Sequence, residues 1–300
     1  MKYENFKVLG NDELGRIFFP DGLSYDQVQA IHISPLHGRA VALKIADYQW
    51  ITIKGGGWNY GGPQVYISNK DEKLILGLYP LESAKRELAV SKEIEKISNQ
   101  FPKVLSYKEI CKFSLPEKYH CLKTAQFKSG ELINPCLLYT QVKCPFRVAD
   151  CIYLTEAEKT KVIESCCKYW QVPTTKYVDT FISHLASNIA ILHKNKFIND
   201  SLDYGNVTML AEIIDYEWVT APMIKLLDDT YGLELTEERK EKEILYGAEI
   251  CLQLKAILHE EYNLFDIYRK FINAYRKINP QFITGNQNIQ KILKKEEIIL

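Results

Sequence analysis

The sequence predicts an α+β fold in which a strand-rich first half is followed by a helical second half. Short runs of alternating polarity, interrupted by Gly, Asn and Pro, dominate the chain up to Asp150. After Asp150, apolar side chains recur at helical spacing over longer segments. We therefore expect two domains, an N-terminal one over residues 1–142 and a C-terminal one over residues 143–300.

The strands predicted for the first domain are short and bounded by turn residues. They cover residues 41–43, 49–54, 73–78, 102–110, 118–127 and 137–142. Residues 1–31 are expected to be irregular, with room for one short helix. The glycines at 55–57 and the segment 61–63 must form loops, because glycine and proline interrupt strands.

One helix is predicted in the first domain and the remainder in the second. The first covers residues 82–96, where Glu87 lies among small apolar residues and could face a core. The others start at Thr155 or cover residues 177–194, 236–260 and 264–277. Thr155 and Thr236 each precede acidic residues, which is typical of helix N-caps.

The composition is that of an ordinary globular enzyme. Among 300 residues, Lys plus Arg and Asp plus Glu both number 38, so no global field attracts nucleic acid or an anionic membrane. No signal-peptide pattern is present, and no apolar run approaches the ~20 residues of a membrane span. We expect a cytoplasmic protein. The eight cysteines form no C-x-x-C pair, which argues against a zinc ribbon.

The segment from Phe197 to Glu217 carries the clearest functional pattern. A polar loop ends at Asn206, and Asp215 follows nine residues later, after an apolar pair. Amide and carboxylate oxygens at the two ends of a short hairpin can share one hard cation such as Mg²⁺. The alternative is a purely structural hairpin, with the asparagine in a turn and the aspartate capping the next segment.

Three charged residues are candidates for binding phosphate. Lys54 ends a predicted strand, and Glu87 in the next helix could hold its ammonium group in place. Arg147 could grip phosphate oxygens through two guanidinium hydrogen bonds. All three could instead be solvated surface charges. A strand-rich lobe followed by a helical lobe, with the Asn/Asp loop after a long helix, is the element order of the protein-kinase fold.

Several stretches together resemble the selenoprotein O family, which are protein-kinase-like protein adenylyltransferases, and indicate a short divergent member. FINDSLDYGN followed by IDYE resembles the family's FVHGVMNTDN and IDYG without a gap. The other stretches are GRAVAL (Gly38–Leu43), IKGGGW (Ile53–Trp58), KREL with SKE (Lys85–Leu88 and Ser91–Glu93) and CPFRVAD (Cys144–Asp150). They resemble the family's GRA, LKGAGR, REFL with SE, and phosphate-gripping arginine stretches.

This resemblance implies a nucleotidyltransferase that moves AMP from ATP to a protein or peptide, because the family binds its nucleotide in a flipped orientation. Asn206 and Asp215 then hold Mg²⁺ or Mn²⁺. Nucleotide-binding roles fall on Lys54, Glu87, Arg147, Gly38, Arg39 and Lys143. The family's further phosphate-binding arginine, upstream of Arg147, has no clear counterpart here, and Gln141 or Lys143 occupies that region.

The catalytic base stays open, because the family's aspartate before the metal-binding asparagine is Gly205 here. Asp203 and Asp200 are the candidates for that base. A loose transition state could also proceed without one. A second and looser resemblance, to aminoglycoside phosphotransferase-type kinases, places Ser201 where those enzymes have their base, with Asp200 one residue earlier, and this counts against a standard phosphotransferase. The alternatives are therefore a phosphotransferase acting on a protein or small molecule, and a catalytically silent nucleotide-binding pseudokinase.

Overall fold

The computed structural model describes residues 27–33, 40–55, 65–67, 73–75, 79–109, 125–126, 132–133, 135–221 and 236–282. Within these ranges an N-terminal antiparallel sheet is followed by a mostly helical part, which confirms the predicted α+β class. Among the described residues, no helix combines the length and the apolar character that a membrane span requires.

The first part of the chain is built from β-strands. They are β1 (Ala30–Ile33), β2 (Ala40–Ala46), β3 (Gln49–Lys54), β4 (Val65–Ile67), β5 (Lys73–Ile75), β6 (Tyr79–Pro80), β7 (Lys103–Glu109), β8 (Ala125–Gln126), β9 (Leu132–Ile133) and β10 (Pro135–Val142). Six of them form one sheet in the order β1-β2-β3-β10-β6, with β7 also paired to β10. The pairs β4–β5 and β8–β9 are separate two-stranded sheets.

One face of the six-stranded sheet forms an apolar core. Its buried residues are Ile31, Val41, Leu43, Ile53, Leu137 and Tyr139. Successive side chains on a strand point to opposite faces, so Lys54 faces away from the core side chain of Ile53. The antiparallel register pairs Lys54 with Ala40 on β2 and with Leu138 on β10. The lysine at the end of β3 is therefore placed by strands on both sides.

The strand predictions differ from the structure at the start of the sheet. Residues up to 31 are expected to be irregular, but β1 begins at Ala30 and pairs with β2 from Ala30↔Lys44 to Ile33↔Val41. Four residues are too few to show a clear alternation, and only the neighbouring strand supplies the hydrogen bonds that order them. The strand predicted over residues 49–54 matches β3.

The helices follow the predicted pattern closely. They are α1 (Leu81–Glu95), α2 (Glu156–Trp170), α3 (Tyr177–Lys194), α4 (Glu237–Ile257) and α5 (Leu264–Ile278). Thr155 caps α2, since its side chain accepts from the Glu158 N–H while the Glu158 carboxylate accepts from the Thr155 N–H. Thr236 caps α4 by accepting from the Arg239 N–H. The predicted end of α4 at residue 260 is slightly too late.

Helix α3 packs against both α4 and α5. Its face toward them is apolar, with Phe181, Leu185 and Ile189 all fully buried. Gly247 on α4 allows this close approach, because a Cβ there would lie 2.4 Å from Phe271 Cζ and 2.7 Å from Ile189 Cδ1. Two short strands, β11 (Ile198–Asn199) and β12 (Val219–Thr220), follow α3 and pair with each other.

The chain divides into two units by its internal contacts. One contains the described residues of Met1–Lys92 and Pro102–Pro145, and the other those of Glu93–Phe101 and Phe146–Leu300. The domain boundary predicted between residues 142 and 143 lies close to the break after Pro145. Lys54 and Glu87 belong to the first unit, and the Asn206–Asp215 hairpin belongs to the second.

Candidate functional site

The first unit holds a buried ion pair between Lys54 and Glu87. The Lys54 ammonium donates to Glu87 Oε1 at 2.9 Å, and the two side chains are 11% and 3% exposed. β3 supplies the lysine and α1 supplies the glutamate. A buried charge is costly unless it is paired, so this contact holds the ammonium charged and in one place. The two residues that the sequence links as a pair are thus in direct contact.

Tyr79 on β6 is a third member of this group. Its hydroxyl donates to the same Glu87 Oε1, and its ring centroid lies 4.1 Å from the Lys54 ammonium. An ammonium over an aromatic face is attracted by the negative charge of the ring face. Tyr79 is 1% exposed. It therefore fixes both partners of the ion pair at once, although nothing in the sequence pattern singles it out.

Cys136, which neighbours this group in the sheet, has a thiol that stays protonated. Cys136 on β10 pairs with Tyr79 across the sheet. Burial raises the pKa of the Cys136 thiol to about 12, and the charges of Glu109 and Glu87 add to the effect while Lys54 opposes it. The thiol stays protonated at neutral pH and is not a nucleophile.

Gly55, directly after Lys54, occupies a position that only glycine fits. Its φ is +95°, a conformation that other residues rarely adopt. A Cβ at this position would lie 2.3 Å from the Cys136 carbonyl oxygen and 2.9 Å from Tyr79 Cβ. The glycine therefore lets β3 end against β6 and β10 while Lys54 keeps its contact with Glu87.

In the second unit, Asn206 and Asp215 lie at the two ends of a tight hairpin. The Ile214 N–H donates to the Asn206 carbonyl at 2.9 Å, and Val207 pairs with Ile213. The tip of the hairpin is anchored to α3, because the Asn188 side-chain amide donates to the Ala211 carbonyl at 2.8 Å. The nine-residue spacing in the sequence thus places both residues at the open end of one hairpin, with Asp215 one residue beyond the position that faces Asn206.

The oxygen atoms at this end of the hairpin suit a hard cation. Asn206 uses its amide nitrogen to donate to the Ser201 carbonyl at 2.8 Å, so the amide oxygen is the atom that could contact a metal. A carboxylate oxygen of Asp215 lies within 4.8 Å of one of Glu217. Amide and carboxylate oxygens are the ligands that Mg²⁺ and Mn²⁺ prefer. The donor set therefore fits the predicted metal.

The backbone of Asp215 is in the left-handed region, with φ of +66°. Aspartate adopts this conformation more readily than most other residues with a side chain, because its short polar group can form local hydrogen bonds. Just after it, residues Tyr216–Trp218 form a short 3-10 helix. Asp215 is one of six residues other than glycine with a positive φ among the described residues, so this conformation does not by itself mark a metal site.

Arg147 is held against the loop that leads to Asn206. Its Nη1 donates to the Gly205 carbonyl at 2.8 Å. Its backbone N–H donates to the fully buried Asp150 carboxylate at 3.0 Å, and its backbone pairs with Thr208. The structure thus places Arg147 beside the hairpin, within the same unit.

The two candidates for the catalytic base have different surroundings. The Asp200 carboxylate accepts from Arg239 through both oxygens, with Arg239 Nε at 3.1 Å from Oδ1 and Nη2 in contact with Oδ2. Asp203 is exposed and uses Oδ1 to accept from the Gly205 N–H at 2.7 Å. Asp200 is engaged in a bidentate ion pair, whereas Asp203 lies in an open turn before Asn206. The surroundings favour Asp203.

The structure gives less information about the other predicted nucleotide-binding residues. Lys143 is half-buried just after β10, in the first unit. Gly38 and Arg39 lie outside the described residues. No protein-family model matches the chain, and no curated protein matches it by sequence.

Two residues of the candidate site were not predicted from the sequence. Tyr79 lies in a Tyr-Pro step with no motif around it. Glu217 has a signal that could have been used, because an acidic residue two positions after Asp215 can reach the same cation.

Proposed function

We propose that the chain is an ATP-dependent transferase with a kinase-like fold that transfers AMP to a hydroxyl group of a protein or peptide. The observation that carries this proposal is the buried Lys54–Glu87 pair, held by Tyr79. An ammonium fixed at the end of a strand by a buried carboxylate is suited to neutralise nucleotide phosphates without reorganisation.

The second unit supplies the complementary features. Asn206 and Asp215 are the proposed ligands of Mg²⁺ or Mn²⁺, and Glu217 is a further candidate for the same ion. Such an ion, when bound, neutralises phosphate charge and orients the triphosphate. Arg147 is proposed to contact phosphate oxygens, since guanidinium groups bind them in pairs of hydrogen bonds.

The proposed step is an in-line displacement at the α-phosphorus. The acceptor hydroxyl oxygen forms a bond to the α-phosphorus, and the bond from that phosphorus to the bridging oxygen of the β-phosphate breaks. Pyrophosphate leaves, and the hydroxyl proton passes to the Asp203 carboxylate. Lys54 and Arg147 stabilise charge on the oxygens that do not react.

The choice of AMP rather than phosphate rests on the resemblance to the selenoprotein O family, not on the geometry. The same lysine, glutamate, asparagine and aspartate serve transfer of the γ-phosphate in kinases. A phosphotransferase is therefore the second candidate, and its product differs only in which phosphorus is attacked. A catalytically silent pseudokinase keeps nucleotide binding alone.

One incubation separates these functions. Purified protein is mixed with cell lysate, Mg²⁺ or Mn²⁺, and ATP labelled either at the α- or at the γ-phosphate. Label transferred to protein from the α position alone is the expected result. Transfer from the γ position alone would replace the proposal by a phosphotransferase. ATP binding without transfer from either position would leave the pseudokinase.

A substitution of Asp215 tests whether this residue binds the metal. Asp215→Asn removes the carboxylate charge but keeps the size of the side chain, and asparagine tolerates a positive φ. We expect transfer to fall by at least about a hundredfold with little change in the melting temperature, since removal of a metal ligand acts on the reaction. Asp179→Asn, at an aspartate paired with Lys270 on α5, is the matched control. Equal activity of the two variants would overturn the assignment.

A further inference from the structure

A buried glutamate on α4 holds the start of the loop that leads to Asn206. The Glu243 Oε2 atom accepts from the Asn199 backbone N–H at 3.1 Å. Glu243 and Asn199 are 2% and 1% exposed, so the hydrogen bond is shielded from water. A hydrogen bond from a backbone N–H to a buried carboxylate is among the stronger ones in proteins.

The position of Glu243 is itself fixed from the opposite side. His193, in the last turn of α3, places Nε2 2.8 Å from the same Oε2 and Nδ1 2.8 Å from the Tyr275 hydroxyl. Burial raises the pKa of the Tyr275 phenol, so its O–H remains available to donate to Nδ1. In the tautomer in which His193 Nδ1 accepts from this hydroxyl, Nε2 donates to the Glu243 carboxylate. Two helices, α3 and α5, thereby brace Glu243 on α4.

The connection continues from Asn199 to the candidate metal ligand. Asn199 Oδ1 accepts from the Ser201 N–H at 3.0 Å and from the Ser201 hydroxyl at 2.9 Å. The Ser201 carbonyl accepts from Asn206 Nδ2 at 2.8 Å. A carbonyl can only accept, so this contact directs the nitrogen of the Asn206 amide to Ser201 and leaves its oxygen for the cation.

We propose that Glu243 and Asn199 are positioning residues that orient the Asn206 amide oxygen toward the metal. The inference rests on the proposed function, because it assumes that Asn206 binds a cation. Groups that fix the orientation of a metal ligand typically change metal affinity ten- to a hundredfold when removed. All of these hydrogen bonds lie within the second unit, and both bonds to Ser201 end on Asn199 Oδ1, so a substitution of Asn199 interrupts the connection.

The side chain of Asn199 is poorly explained by stability alone. Its Nδ2 atom is buried without a hydrogen-bond partner among the described residues, and so is Glu243 Oε1. An unpaired buried polar atom destabilises a fold, and an apolar group of similar shape can be as stable or more stable. The contacts of Asn199 Oδ1 with Ser201 are then the reason for an asparagine at this position.

The test is the Asn199→Leu variant of the full chain, which removes Oδ1 while keeping a similar volume. The dissociation constant of ATP is measured by calorimetry with Mn²⁺ and again with EDTA. The dissociation constant in EDTA divided by that with Mn²⁺ gives a ratio that measures the contribution of the metal to ATP binding. We expect this ratio to fall about tenfold in Asn199→Leu, while binding of ATP in EDTA stays as in the wild type. Damage to the fold would instead weaken both.

Two variants serve as references. Asn195→Ala removes an asparagine at the end of α3 whose amide donates to the Ile191 carbonyl, and it should leave the ratio unchanged. Asp215→Asn should remove the metal contribution altogether. If Asp215→Asn keeps the wild-type ratio, the proposed metal site falls. If Asp215→Asn loses the metal contribution but Asn199→Leu keeps it, only the present inference falls.

Glu243→Gln provides the test should Asn199→Leu fail to fold. Glutamine keeps the shape and can still accept from the Asn199 N–H, but as a neutral and weaker acceptor. We expect the Mn²⁺ ratio to fall between about twofold and tenfold. A wild-type ratio in Glu243→Gln would overturn the proposal.

Discussion

At the residue scale, the Lys54 ammonium is held by two groups of different chemistry. Glu87 supplies a carboxylate at 2.9 Å, and Tyr79 supplies a ring face at 4.1 Å together with a hydroxyl that binds the same carboxylate. The tyrosine hydroxyl gives Glu87 Oε1 a second hydrogen-bond donor besides the Lys54 ammonium. The tyrosine thus limits the movement of the pair.

Tyr79→Phe separates the hydroxyl from the ring. The ring stays under Lys54, but Glu87 loses one hydrogen bond to its charged form. A hydrogen bond to a buried charged group contributes about 1.5–3 kcal/mol, so we expect the free energy of unfolding in urea to fall by that amount. The KM for ATP in the transfer assay should rise, because the ammonium is less well placed.

The control for this change is Tyr107→Phe, at a half-buried tyrosine of β7 in the same sheet. It should alter neither stability nor KM appreciably. A Tyr79→Phe protein as stable as the wild type, with an unchanged KM, would show that the hydroxyl does not hold the pair.

At the element scale, Asp200 connects the start of α4 to the β11–β12 pair. Its carboxylate binds Arg239 in the first turn of α4 and accepts from the Thr220 hydroxyl at 3.2 Å. A carboxylate that binds both a guanidinium and a hydroxyl group has a structural role. This arrangement predicts a stabilising role for Asp200 and leaves Asp203 as the candidate base.

A double-mutant cycle with Asp200→Ala and Arg239→Ala tests that distinction. We expect each single variant to lower stability by about 1 kcal/mol, and the double variant to lose little more, because both changes remove the same ion pair. Transfer activity per folded molecule should remain. Loss of activity in Asp200→Ala but not in Arg239→Ala would instead identify Asp200 as the base.

At the scale of the whole molecule, the buried thiols set a limit on stability at high pH. Cys136 and Cys251 are both fully buried, one in each unit. Burial raises the pKa of the Cys136 thiol to about 12 and also raises the pKa of the Cys251 thiol. Both stay protonated in the folded chain at pH values where an unfolded chain has ionised them.

Stability should therefore fall as the pH rises above about 9, where exposed cysteines ionise. The unfolded chain then binds fewer protons than the folded one, so the free energy of unfolding decreases with pH. The limiting slope is about 1.4 kcal/mol per pH unit for each thiol. Urea denaturation at pH 8, 9 and 10 measures this slope, and Cys136→Ala should reduce it. A constant stability over this range would contradict the assignment.

How well the sequence predicts a contact of the site depends on the number of residues that separate its two partners along the chain. Thr155 caps α2 through Glu158, three residues away, and sequence spacing alone predicts it. Asn206 and Asp215 are nine residues apart on one hairpin, and the spacing again suffices to place them at its two ends. Arg239 binds Asp200 across 39 residues, and no local pattern indicates that pair.

The amino-acid sequence by itself determined that a strand-rich half precedes a helical half, where the main helices lie and which residues are candidates for chemistry, because periodicity, caps and turns depend on near neighbours. It also linked Lys54 with Glu87. The tertiary structure alone decided that Tyr79 joins that pair, that Asp200 is bound by Arg239, and that Glu243 supports the Asn206 loop. Burial and hydrogen bonding between distant segments set those roles, because a side chain's partners depend on which elements pack together.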